Sequence, residues 1–245
     1  LNSINSQIFF CILSFLVVFN KNEKKDTNYY NLLIILVAGL TGIYTCVLLP
    51  IFFFKYLKFK TLQDKYNLII LLFFSISQFI IIAFAKTTNL LYEGKLHIID
   101  INLIYNYIYN VPVKAFLGRN LSQFIFYNLN ISIQLAVFLI CILSLLIAAY
   151  LIYYFKKNKK VFNRNKFIFN SLLYSFFSIS LLILIGGVGE YVGGRYAALP
   201  SFFLLTLALF LAIIGNNFNF KLFLHLILFI SIFSGAYEFK NNNKF

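Results

Sequence analysis

The 245-residue chain has no methionine, no tryptophan, only 3 prolines and 3 cysteines, and 7 acidic residues against 21 basic ones. Each shortage closes off a class of function. Cys11, Cys46 and Cys141 stand singly in separate apolar runs, an odd number without C-x-x-C or Cys/His spacing, so neither a disulfide framework nor a zinc site is expected. His97 and His225 lie far apart in the chain, and neither has a second ligand at metal spacing. No metal and no cofactor is therefore expected. P-loop, H-E-x-x-H, G-x-S-x-G and Rossmann fingerprints are missing, which removes support for ATP-driven work and for the familiar hydrolases. With Leu1 first and no methionine anywhere, the chain reads as a fragment with its start upstream.

What the chain has in quantity is apolar side chains. They make up 61% of it, charged residues 11%, and mean hydropathy is +0.85, which excludes a soluble globular domain. The formal charge of +14 would suggest nucleic acid in a soluble protein. Here the lysines crowd between apolar runs and form no basic folded module, so they read as orientation signals and headgroup contacts. The expected fold is an all-α integral membrane bundle forming a single domain over 1–245. Runs long enough for a bilayer core of about 20 residues per helix occur at Asn31–Phe54, Tyr66–Ala85, Ile131–Phe155, Phe167–Ile185, Ala197–Ile214 and Leu222–Ala236. A partial run at Ile8–Phe19 raises the expectation from six spans to seven. The runs are continuous rather than alternating, which argues against a membrane barrel.

Basic residues set the sidedness. Lys55, Lys58, Lys60 and Lys65 share one connection, Lys156 to Lys166 the one two spans later, and Lys221 marks the next. Under strict alternation these fall on one side, which the positive-inside rule makes cytoplasmic. Segments 21–30, 86–130, 186–195 and the C-terminal tail then face outward, giving N-in and C-out in a plasma membrane, expected to be the bacterial inner membrane. The 86–130 connection is too long for a turn. Ile101, Ile104, Tyr105 and Ile108 oppose Asn102, Asn106 and Asn110; beyond Pro112, Leu117, Leu121, Phe124 and Ile125 oppose Arg119, Asn120, Ser122 and Gln123. Both sets predict amphipathic helices lying in the headgroup region, or short helices capping the bundle.

Chemistry on the outer face has few candidates. Asp64 and Glu238 read as solvated. Asp100 and Glu190 are the possible general bases, and Lys114, Arg119 and Arg195 the possible phosphate contacts, arginine supplying paired hydrogen bonds from its planar fork. The segment Gly186 to Arg195, G-G-V-G-E-Y-V-G-G-R, gathers five glycines with Glu190 and Arg195 between two apolar runs. Arg195 follows two glycines at the expected start of a helix, a place that favours an anion. Pro200 is compatible with that start if it falls in the first turn. The alternative is that Glu190 and Arg195 pair with each other and fix the loop.

The stretch Gly193 to Pro200, G-G-R-Y-A-A-L-P, followed by a Leu/Phe-rich span, resembles the late R-Y-x-x-x-P segment of polytopic GT-C-class glycosyltransferases. The resemblance covers roughly 25 residues. It implies transfer of a sugar from a polyprenyl-phosphate donor in cell-surface glycan synthesis, with Arg195 and Tyr196 at the phosphate and membrane lipid as the other partner. That class also places a catalytic aspartate in the first outer loop, a position that Asp26 occupies here. The competing expectation is a flippase or carrier for a lipid-linked oligosaccharide, in which the basic residues capture substrate without chemistry.

Overall fold

A computed structural model describes residues 3–20, 28–87, 101–124, 135, 153, 159–185, 195–214 and 218–242. Among them there is no strand, and the all-α expectation holds. Three helices are long and apolar enough to cross a bilayer, over Leu62–Phe84, Asn165–Leu184 and Tyr196–Ile214. These fall where the spans beginning at Tyr66, Phe167 and Ala197 were expected. Such a build is that of a membrane protein. The chain divides into two compact units, Leu1–Leu96 and His97–Phe245.

Unit 1 contains α1 (Ser3–Phe19), α2 (Tyr29–Thr41), α3 (Ile43–Cys46), α4 (Leu49–Phe59) and α5 (Leu62–Thr87). The run 31–54, expected as one span, is instead a hairpin. Gly42 takes φ +151°, a conformation that β-carbon sterics deny to other residues, and ends α2. A turn at Val47–Leu48 separates α3 from α4, and Pro50 stands in the first turn of α4, where its missing N–H costs nothing. The side-chain contacts fix the directions. Gln7 lies against Gly42 and Cys11 donates to the Tyr44 carbonyl (3.5 Å), while Lys55 donates to the Val17 carbonyl (3.2 Å). α3 and α4 therefore run alongside α1 in the same direction. α2 runs the opposite way, from Asn31, bonded by Asn20 (3.4 Å), down to Gly42 beside Gln7. α5 follows α2, since the Asn28 N–H donates to Gln63 (2.6 Å) and Gln78 donates to the Gly39 carbonyl (3.4 Å).

The order is thus up-down-up-down, and it corrects the alternation. Asn20 and Asn28, which flank residues 21–27, stand at the same end of unit 1 as Lys55 to Lys65, not at the opposite end. The start of α1 lies at the other end. An unbroken apolar run hides this reversal, because one glycine and one proline are individually tolerated in membrane helices.

Unit 2 contains α6 (Ile101–Ile108), a π-helical turn (Tyr109–Val113), α7 (Lys114–Gln123), α8 (Lys159–Ile185), α9 (Arg195–Ile214) and α10 (Phe218–Asn242). Phe169 of α8, Ala208, Leu211 and Ala212 of α9 and Leu224 of α10 form a buried cluster, with Phe116 of α7 against it. Lipid is as apolar as leucine, so close packing rather than water exclusion holds helices like these together, and Ala208 and Ala212, one turn apart, allow the approach.

The two helices expected in the long loop exist, with other faces buried. α6 and the π turn bury Leu103, Tyr107 and Val111 on one side and Tyr105 and Tyr109 on the other, while Ile104 is exposed. A helix packed on two sides has no single headgroup face. In α7, Gly118 adopts φ +77° and re-aims the chain. Ser122 is buried, and Leu121 and Phe124 are exposed.

Candidate functional site

Two places bring polar chemistry together, one in each unit. In unit 1 it begins with helix ends. Asn28 caps α2 by accepting from the Tyr30 and Asn31 N–H groups (3.1 and 3.4 Å). Thr61 caps α5, accepting from the Asp64 N–H (3.1 Å) while its hydroxyl donates to the Asp64 carboxylate (2.7 Å), a variant of the capping box. Asp64 is thereby aimed inward at Lys55. Their ion pair measures 3.0 Å, with side chains only 8% and 5% exposed. Lys55 also donates to the carbonyls of Val17 (3.2 Å) and Asn20 (3.3 Å), the last turn of α1, where a cation is favoured by the helix dipole. All three ammonium donors are used. Gln63 completes the cluster, accepting from Asn28 and donating to Asn67 (2.9 Å).

The solvated Asp64 expected from sequence is corrected by this arrangement. The only hint in the sequence was Thr61-Leu-Gln-Asp64, a start signal for α5; that Lys55 folds back across a turn to meet Asp64 has no periodic signature.

In unit 2 the site forms around backbone that has left the α-helical pattern. Pro112 has no N–H and lies within the π turn, and Gly118 breaks α7, so carbonyls in this stretch lose their regular partners. Neighbouring helices supply hydroxyls. Ser201 of α9 donates to the Val111 carbonyl (3.3 Å), Ser231 of α10 to Ala115, and Ser234 of α10 to Leu117 (3.2 Å). Lys114, half-buried, donates to Asn110 (2.6 Å) and sits 4.6 Å above the Tyr109 ring, which stacks on Tyr105. Tyr107 bonds Ser180 of α8; burial pushes its phenol up to about 12, the bond to Ser180 pulling the other way.

Of the predicted site residues, Arg195 opens α9 as expected, and its side chain lies outside the described residues. Tyr196 follows in the first turn, half-buried. Pro200 falls in the second turn rather than the first, which deprives the Tyr196 carbonyl of its i+4 donor. α9 packs on the π turn and α7, so the Arg195 segment and Lys114 belong to adjoining elements. Arg119 is exposed, and its carbonyl accepts from Ser122 (2.8 Å). Asp26, Asp100 and Glu190 lie outside the described residues. Among the described residues no cluster of metal-binding side chains occurs. No protein-family model matches the chain, and no curated protein or solved structure matches it.

Proposed function

We propose that the protein acts on a polyprenyl-phosphate-linked sugar in a bacterial inner membrane, as a GT-C-like glycosyltransferase whose phosphate site lies at the start of α9. The observation that supports this is the seating of α9 on the π turn through Ser201 and the Val111 carbonyl, one helical turn before Lys114. Two segments carrying cations, Lys114 and Arg195, are thus joined by one half-buried hydrogen bond. A helix start with an arginine and preceding glycines suits a phosphate dianion.

The hairpin supports a revised reading of sidedness. With 29–59 counted as two crossings and the apolar run 131–155 as one, the reading becomes eight crossings rather than six or seven, N-out and C-out. Positions beyond Lys60 keep the side first inferred. Lys21, Lys24 and Lys25 join Lys55 to Lys65 on the cytoplasmic side, a stronger positive-inside bias. Asp26 then faces the cytoplasm, away from the Arg195 segment, which leaves Asp100 or Glu190 as the general base.

Arg195→Ala tests the site. It is expected to abolish binding of a polyprenyl phosphate, or sugar transfer, in a protein that stays folded, and Arg195→Lys to restore only part, because a point charge cannot make the paired hydrogen bonds. If Arg195 merely braces Glu190, Glu190→Gln and Arg195→Ala lower thermal stability non-additively and leave binding intact. Unchanged binding in a stable Arg195→Ala protein refutes the proposal. A carrier for the same lipid is the second reading, favoured by the interrupted helices and buried ion pair of unit 1. Release of free polyprenyl phosphate from a labelled donor distinguishes transfer from carriage.

A further inference from the structure

The turn between α4 and α5 stands out in unit 1 by its backbone and by its surface. Lys60 takes φ 52° and ψ 30°, and among the described residues it is the one residue other than glycine with a positive φ. The conformation belongs to the fold. The Lys60 N–H donates to the Tyr56 carbonyl (2.8 Å), which closes α4, and Thr61 at once caps α5. Glycine or asparagine ordinarily fills such a position, because a β-carbon is strained there. Glycine would make the same backbone bond without that strain, so the reason for lysine lies in its side chain.

The surface of the turn shows what that side chain meets. Lys58, Lys60 and Lys65 are exposed, as are Phe59, Leu62 and Tyr66, the first two by more than half. Asp64 is the only acid among the described residues of unit 1, and Lys55 and Thr61 already hold it. Among those residues the turn therefore presents a positive surface. Leu62 opens a 23-residue stretch long and apolar enough to cross a bilayer, which puts the turn at the polar boundary of that span. Lysines interleaved with exposed rings and aliphatic groups at that depth fit a lipid, whose phosphate meets the ammonium groups and whose upper acyl chain meets the apolar ones. An acidic protein segment would match the charge but not Phe59 and Leu62.

We propose that the α4–α5 turn is a docking surface for anionic lipid headgroups, and that Lys60 keeps its strained backbone position for the charge it presents to them. The surface goes beyond the phosphate reading of α9, since it involves unit 1 alone and needs neither Arg195 nor a lipid-linked sugar.

The full chain in detergent micelles tests this with phosphatidylglycerol labelled on an acyl chain, its binding read by fluorescence anisotropy against phosphatidylcholine with the same label. Wild type is expected to prefer phosphatidylglycerol, and the preference to fall as salt rises. Lys60→Gly relaxes the backbone and removes the charge, so its two readouts part. Its Tm in lipid-free detergent is expected to equal or exceed that of wild type, while its affinity for phosphatidylglycerol drops about fivefold, the share of one near-surface lysine. Lys60→Arg is expected to keep the affinity, and Lys60→Gly with Lys65→Gln to lower it about 25-fold if the two add. The proposal is overturned if Lys60→Gly keeps the full lipid preference, or if that variant is less stable in lipid-free detergent, which would make the lysine a brace for α4. Tighter binding of a soluble glutamate-rich peptide than of the lipid overturns it too. If Lys60→Gly loses its effect in an Arg195→Ala background, the bound lipid belongs to α9 and the proposal falls, with the phosphate reading left standing.

Discussion

In unit 1 the interrupted helices are tied at one end by a charge pair and amide side chains, and around Gly42 by Thr41, Gln78 and Cys46. In unit 2 the interrupted segment from Ile101 to Gln123 is tied along its length by serine hydroxyls reaching in from α9 and α10. Both face one constraint: a backbone group released by a break and buried must find a partner inside the protein. Unit 1 answers with Lys55 on the last carbonyls of α1 and Thr41, Gln78 and Cys46 on carbonyls around Gly42. Unit 2 answers with neutral hydroxyls, each replaceable with little disturbance. The first solution concentrates stability in two residues, and the second spreads it over several.

Breaking the pair is the severest test of that contrast. Lys55→Ala or Asp64→Ala leaves one buried charge alone and is expected to cost about 3–5 kcal/mol in detergent unfolding. The double change Lys55→Met with Asp64→Leu recovers most of it, short of full recovery because the Val17 and Asn20 carbonyls lose their donor. A cost for the single changes no larger than that of an exposed pair would place both groups in solvent.

Next in size are the glycines that make the breaks. Gly42→Ala forces a β-carbon into φ +151° and against Gln7, and Gly118→Ala does so at φ +77°; each is expected to cost about 1–3 kcal/mol. Equal Tm values for wild type and Gly42→Ala would mean that α2 and α3 can join as one helix, and the hairpin would fail. Smaller still, Ser234→Ala removes one hydroxyl from the Leu117 carbonyl and is expected to cost about 1 kcal/mol, with Ser201→Ala similar and the two adding. Strong non-additivity would give unit 2 the concentrated character assigned to unit 1.

The least effect is in alkali. Folding holds the Tyr107 phenol neutral up to about 12, while an unfolded phenol ionises near its usual value of about 10. The stability contributed by Tyr107 is therefore full below the unfolded value and lost as pH rises through the folded one. Tyr107→Phe is expected to flatten that fall in a pH series of Tm values.

Apolar run length was enough to locate α5, α8 and α9, because each is one uninterrupted helix flanked by polar residues. It failed for 31–54, where two antiparallel arms share one apolar composition and only Gly42 and Pro50 mark the fold-back. The start of α9 at Arg195 was readable from the glycines before it. Burial on α6 was not, since its tyrosines are held by contacts on two sides that no single periodicity encodes. Lys55 and Asp64 looked like surface charges because their partners come from the ends of other helices, a pairing set by topology.

The 13 residues of α2 extend about 20 Å, against a hydrocarbon core of about 30 Å. If α2 crosses the membrane, as in the proposed topology, an arm that short cannot match an undisturbed bilayer. Lipids beside α2 must compress, or the exposed Tyr29 and Tyr30 at its start must draw the polar boundary inward. By this hydrophobic mismatch the proposed topology suits unit 1 to thin membranes, and on that reading thickening the host lipid chains bears first on the Gly42 turn.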